Sequence, residues 1–311
     1  MIRVANAPCS WGALEFETTV QPAPASQVLD EMASAGYAGT ELGDWGFLPT
    51  TPAALAADVG RRDLALIAAV VPVALARADA LEEGLARAVR TARLLADAGR
   101  VERVGQVGQV GREDPMLVLA DDNASVPNRT SRAGRIREDD GLTSDQWDAF
   151  AQRAEHVAAE VRRATGLRTV FHHHCAGYVE TPDEIDALLS RTDPALLGLC
   201  LDTGHLTFGG GDPLAALANY ADRIWHVHFK DCDPALAAQS RLEGWDYHRS
   251  VRRGIFCELG RGTVPFAGVL EALCARHYSG WIVVEQDVLP GLGTPAASAA
   301  RNRAFLRGLG I

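Results

Sequence analysis

The chain has 311 residues, 47 % hydrophobic and 23 % charged, with a formal net charge of −10. That balance excludes a disordered, collagenous or membrane-spanning chain, and the acidic surplus excludes the basic stripe that a phosphate-backbone partner requires. Of the 30 basic residues 29 are arginine, and the single lysine is Lys230. An amine has a pKa that its surroundings can tune, which a guanidinium lacks, so that position carries interest. The six cysteines, at 9, 175, 200, 232, 257 and 274, form no CxxC pair and suit a reducing compartment. The opening MIRVANAPCSWG has neither the basic segment nor the long apolar run of a signal peptide. The expectation is a cytoplasmic protein with no membrane and no nucleic-acid partner.

In chain order, short apolar runs alternate with longer helical patterns, which is the signature of βα units around a parallel sheet. Strands are expected at Ile2–Ala7, Gly39–Leu42, Leu64–Val70, Met116–Ala120, Arg168–His172, Leu197–Leu201, Ile224–Phe229 and Trp281–Glu285. The helical period is clearest over Thr143–Thr165, where Trp147, Phe150, Ala151, Ala154, Val157, Ala158 and Val161 fall on one stripe. Thr181-Pro182-Asp183-Glu184 supplies an N-cap, a proline at the first helical position and acids in the first turn, and Asp212-Pro213 repeats the device. Eight such units predict an α/β chain folded as a single (β/α)8 TIM barrel domain over residues 1–311. A doubly wound dinucleotide fold would place GxGxxG after the first strand, where Ala7-Pro8-Cys9-Ser10-Trp11-Gly12 stands instead. Three further segments stand out. Gly99–Pro115, with its VGQVGQVG repeat, reads as an insertion between the third helix and the fourth strand. Arg129–Arg137, followed by Glu138, Asp139 and Asp140, reads as a solvated mixed-charge loop. Asp231–Gly262 reads as a long loop covering the site.

The active site of such a barrel lies at the C-terminal ends of its strands. Six of the nine histidines, at 172, 173, 174, 205, 226 and 228, fall there. Strand six ends LCLDTGH, with Asp202 at its tip and His205 three residues on. In WHVHFKD the two-residue period puts His226, His228 and Lys230 on one face, and WIVVEQD places Glu285 at the tip of strand eight. Asp202, His228 and Glu285 would converge from adjacent strands as a mixed carboxylate and imidazole set for a divalent metal. The candidates for a fourth ligand are Glu180 and a histidine of His172-His173-His174.

The anchors NAPCSWG (6–12), TELGDWGFLP (40–49), GLTSDQW (141–147), HHHCAGYVETPDEIDALL (172–189), LCLDTGH (199–205), HVHFKD (226–231) and FCELGRG (256–262) resemble one family. It is the xylose isomerase-like sugar phosphate isomerase and epimerase group of metal-dependent barrels and, within it, the inosose dehydratase subgroup. The resemblance implies metal ligands at Asp202, His228 and Glu285, with Glu180 taken as the fourth. It implies one divalent ion, manganese or cobalt with zinc or magnesium as alternatives, and a homo-oligomer by the habit of the superfamily.

The reaction so implied is loss of water from a cyclic keto-polyol such as 2-keto-myo-inositol. It needs a proton removed next to the carbonyl and a β-hydroxide expelled, through an enediolate whose charge a metal can stabilise. Lys230, with His174 or His205, is expected to handle the proton transfers, its pKa falling on desolvation or beside a metal. Cys9, Trp11, Glu41, Trp45, His172 and His226 are expected to wall the substrate pocket. Alternatives on the same site are a keto-sugar isomerase or epimerase, which returns the proton to carbon, an abasic-site endonuclease and a non-catalytic sugar-binding barrel.

Overall fold

A computed structural model describes residues 2–12, 23–105, 114–289 and 291–311. Eight parallel strands close into a barrel: β1 (Arg3–Asn6), β2 (Gly39–Glu41), β3 (Ala65–Pro72), β4 (Met116–Ala120), β5 (Thr169–His172), β6 (Leu197–Asp202), β7 (Ile224–Phe229) and, after a small two-stranded ribbon of β8 (Asp231–Cys232) and β9 (Phe256–Cys257), β10 (Trp281–Val284). Round the barrel the order is β1, β10, β7, β6, β5, β4, β3, β2, so chain neighbours are spatial neighbours and β10 closes the ring onto β1. All eight expected strands are present, with ends that differ by at most two residues.

Two apolar layers hold this arrangement. Inside the barrel, Ala5, Ile67, Met116, Val118, Val170 and Val283 fill the lower half. A Cβ on Gly39 would stand 3.0–3.1 Å from Ala65 O, the Trp281 ring and Ile67. Outside, the strands bury their other face against helices, most plainly α5 (Ser144–Thr165), whose buried residues are the seven of the stripe read from the sequence. Thr143 caps that helix by accepting from Gln146 N while the Gln146 side chain accepts from Thr143 N, a reciprocal pair that fixes where the helix starts.

Two segments differ from expectation. The third helix, α3 (Leu81–Gly105), runs on through the start of the Gly99–Pro115 stretch, whose residues 106–113 lie outside the described ones. Arg129, in the short helix α4 (Pro127–Ser131), is wholly buried rather than solvated. Its Nη1 and Nη2 donate to the two Glu184 oxygens at 2.6 and 2.8 Å, and its Nε donates to Gly177 O at 2.8 Å. A paired, bidentate guanidinium can be buried where an isolated one cannot. The Asp231–Gly262 loop carries α9 (Pro234–Glu243) and α10 (Tyr247–Arg252) between the two ribbon strands. Among the described residues no helix is long and apolar enough to cross a membrane.

Candidate metal centre and active site

The C-terminal ends of β5, β6, β7 and β10 bring His172, Asp202, His228 and Glu285 together, all buried. Each ligand atom is singled out by what holds the rest of its side chain. Asp202 caps helix α7 (Thr203–Phe208), its Oδ1 accepting from His205 N at 2.7 Å, which leaves Oδ2 to face the cluster. His228 uses Nε2 on Glu41 Oε1 at 3.0 Å, which leaves Nδ1 inward. His172 Nε2 lies 3.5 Å from Asp202 Oδ2; His228 Nδ1 lies 3.9 Å from the same oxygen and 3.2 Å from Glu285 Oε1. His172 Nε2, Asp202 Oδ2 and His228 Nδ1 make no hydrogen bond despite full burial. Three converging buried atoms without partners carry a cost unless something charged meets them, and imidazole nitrogen with carboxylate oxygen is a donor set for a divalent transition ion. The residues therefore fit the implied metal.

Two other groups of donors share His228: His172 with Cys200, and Glu41 with His226. Burial pushes the Cys200 thiol up to about 12, so it stays protonated. Glu41 is already bonded through Oε1 to both His226 Nε2 (2.9 Å) and His228 Nε2. Burial drives the Glu41 carboxyl up, but the His228 and His226 imidazoles outweigh it and hold it well below the usual carboxylate range. Glu41 thus lies behind the ligand histidine, the carboxylate–histidine arrangement that fixes which ring nitrogen faces a metal.

Glu180 is not in this cluster. Its Oε1 accepts from Gly134 N and its Oε2 from Ala176 N, both at 2.7 Å, so both oxygens tie the loop after α4 to the loop after β5. Burial pushes its pKa up to about 7 in spite of those two amides. Of the two candidates for a fourth position beside Asp202, His228 and Glu285, the structure places His172, also expected on the pocket wall, next to Asp202 and keeps Glu180 apart.

Lys230 follows β7 at the barrel mouth, with Nζ 3.1 Å from Glu285 Oε2, 3.5 Å from Asp287 Oδ2, 3.4 Å from His205 Nε2 and 4.8 Å from the centre of the Phe256 ring. Burial pulls its pKa down, as expected from the sequence, but Asp287, Glu285 and Asp202 outweigh it and hold it well above the ordinary lysine value. His205 is fully buried between Lys230 and Phe256, and His174 donates Nδ1–H to Cys175 O at 2.6 Å, which leaves Nε2 to the Tyr247 hydroxyl at 3.2 Å. Burial holds both of these imidazoles well below the ordinary histidine value, hence neutral.

A cavity opens at this end of the barrel, at the mouth where such barrels hold their small-molecule sites. Cys9, Glu41, His172, His174, Lys230 and Glu285 line it, together with Asn123, Tyr247 and Asp287, which sequence reasoning missed. Asp287 stands in the quoted WIVVEQD, two residues past Glu285; Asn123 comes from the irregular segment after β4 and Tyr247 opens the short helix α10, neither of which gives a periodic signal. Three expected wall residues are elsewhere. Trp11 is buried and donates Nε1–H to Glu31 Oε2 at 2.6 Å, Trp45 is 40 % exposed under the Arg90 guanidinium, and His226 sits below the cavity on Glu41.

Fold and site together define a xylose isomerase-like TIM barrel, and the chain belongs to that family, whose sequence pattern matches residues 29–309. It is 31 % identical over 304 residues to the inosose dehydratase of Geobacillus kaustophilus (strain HTA426), covering 98 % of this chain and 93 % of that protein. Among solved structures it resembles a probable 3-DHS dehydratase from Bacillus anthracis (TM-score 0.68, 12 % identity, 99 % of both chains) and an L-ribulose 3-epimerase (TM-score 0.68, 19 % identity, 99 % of this chain and 94 % of that one). At those identities the two structures speak for the fold alone.

Proposed function

We propose that this protein is a metal-dependent dehydratase that removes water from a cyclic keto-polyol of the 2-keto-myo-inositol type, acting as a single barrel domain. The observation that carries the reading is the set of unpartnered ligand atoms on His172, Asp202 and His228, beside Glu285, next to a cavity that His172 and Glu285 line, in a chain that matches an inosose dehydratase over nearly its whole length. These four side chains would hold the ion, with manganese or cobalt the proposed metal. A divalent ion there supplies Lewis-acid polarisation of the ketone and its neighbouring hydroxyl.

The chain's own residues supply the proton chemistry. Dehydration needs a base for the proton next to the carbonyl and an acid for the departing hydroxide. His174 is neutral and lines the cavity, which suits the first role; Lys230, held as an ammonium by Glu285 and Asp287, suits the second. His205 does not line the cavity and acts on substrate only through Lys230.

The test is incubation of the manganese-loaded protein with 2-keto-myo-inositol. Loss of one water, seen by mass spectrometry, is the expected result. Exchange of the α-proton in D2O without water loss would establish the isomerase or epimerase chemistry instead, and neither event would refute both.

A further inference from the structure

The four residues of the metal-binding cluster come from β5, β6, β7 and β10, and the reacting Lys230 follows β7. In the barrel order β4 stands four places from β10, diametrically across the mouth. The four strands of the cluster are consecutive in the ring, so a ring substrate engaged by it turns its far edge toward the other half of the mouth, formed by β1, β2, β3 and β4. On that side the polar side chains of the cavity lining are Cys9, Glu41, Asp44 and Asn123, the rest being apolar or glycine. Of these, Glu41 is already bonded to His226 and His228, and only the Asn123 side chain combines an amide donor with a carbonyl acceptor. Among the described residues its carboxamide makes no hydrogen bond to another protein group.

The backbone is shaped to put it there. Ala124 (φ +62°) and Ala176 (φ +68°) both adopt the left-handed conformation that disfavours alanine, and Ala124 N donates to Ala176 O at 3.0 Å, tying the loop after β4 to the loop after β5. Strain of this kind persists where surrounding contacts impose it and collects at ligand sites. At Gly177 a Cβ would fall on Asn123 Oδ1, so the missing side chain is what leaves the carboxamide its room.

We propose that Asn123 determines specificity by reading two adjacent hydroxyls on the substrate edge turned away from the metal-binding cluster, its amide donating to one oxygen and its Oδ1 accepting from the next O–H. The proposal rests on the cyclic keto-polyol reading above. Because the contact is remote from the reacting carbons, it binds ground state and transition state alike, and losing it raises KM rather than lowering kcat.

The test is Asn123→Leu in the manganese-loaded enzyme, with Asn123→Ser as a second variant should the leucine protein not fold. KM for 2-keto-myo-inositol is expected to rise about tenfold or more, with kcat within about threefold and Mn²⁺ affinity unchanged. Calorimetric binding of myo-inositol, which has the ring hydroxyls without the ketone, should weaken in parallel. A KM within twofold of the parent overturns the role of Asn123 while leaving the dehydratase reading intact. Should the parent bind myo-inositol in an Asn123-dependent way but dehydrate nothing, the reaction assignment fails and the contact stands. If the parent neither binds myo-inositol nor dehydrates 2-keto-myo-inositol, both fall.

Discussion

Glu41→Gln tests the central feature of the site, because this carboxylate touches the proposed metal-binding cluster only through His228. One oxygen, Glu41 Oε1, accepts from His226 Nε2 at 2.9 Å and from His228 Nε2 at 3.0 Å, all three side chains being buried. With Nε2 of His228 carrying the proton, Nδ1 keeps its lone pair toward Asp202 and Glu285. A glutamine can answer in two ways. If its carbonyl oxygen keeps the position, both bonds fall from charge-assisted to neutral, about half the strength. If its NH2 group faces the rings, His228 must move its proton to Nδ1, the atom aimed at the metal. Carboxylates behind ligand histidines are worth roughly ten- to a hundredfold in metal affinity, or about 1.4–2.7 kcal/mol. Titration calorimetry with Mn²⁺ should therefore show a Kd at least about tenfold weaker, with far-ultraviolet circular dichroism unchanged. A Kd within twofold of the parent would refute this assignment of the ligand nitrogen, and with it the choice of this cluster over the Glu41–His226–His228 group.

Lys230→Arg keeps the charge beside Glu285 and Asp287 but replaces the amine with a group that does not give up its proton; turnover should fall by about 10²–10⁴ with Mn²⁺ affinity within a few-fold, and unchanged turnover would end the proton-transfer role. Glu180 has a folded-state pKa pushed up to about 7, so the folded protein holds its proton more tightly than the unfolded chain does. Stability should fall as pH rises from about 4.5 to 7, by roughly 3 kcal/mol from this group, and urea midpoints of Glu180→Gln should show a correspondingly flatter decline over that window. Asp231 accepts four backbone amides, from Cys232, Gly260, Gly262 and Val264 at 2.8–3.1 Å, and so binds the FCELGRG segment to the ribbon behind Lys230. Asp231→Asn leaves two of these donors facing an NH2 group and should destabilise the protein by about 2–6 kcal/mol in chemical denaturation, whereas a loss under about 1 kcal/mol would show that the segment is held by other contacts.

The features legible in the sequence are those set by local rules. Strand runs, the seven-residue stripe of α5 and the caps at Thr143, Thr181 and Asp212 depend on near neighbours, and the structure reproduces them. The ends of strands are equally readable, which is why Asp202, His228 and Glu285 fall at one rim on the sequence pattern alone. What the sequence could not decide was every pairing between segments far apart in the chain. Glu180 and His172 stand eight residues apart, and nothing in that spacing tells which turns to the cluster; the choice falls to the Gly134 amide, 46 residues away, which captures Glu180 together with Ala176 N. Glu41 reads as a pocket wall until β2 and β7 face each other across the barrel interior and one carboxylate oxygen meets two imidazoles. Lys230 followed the same division. Its burial at the mouth was legible from alternation, but the sign of its pKa shift was fixed by three carboxylates gathered from β6 and the end of β10, and electrostatic sums of that kind exist only once the ring has closed.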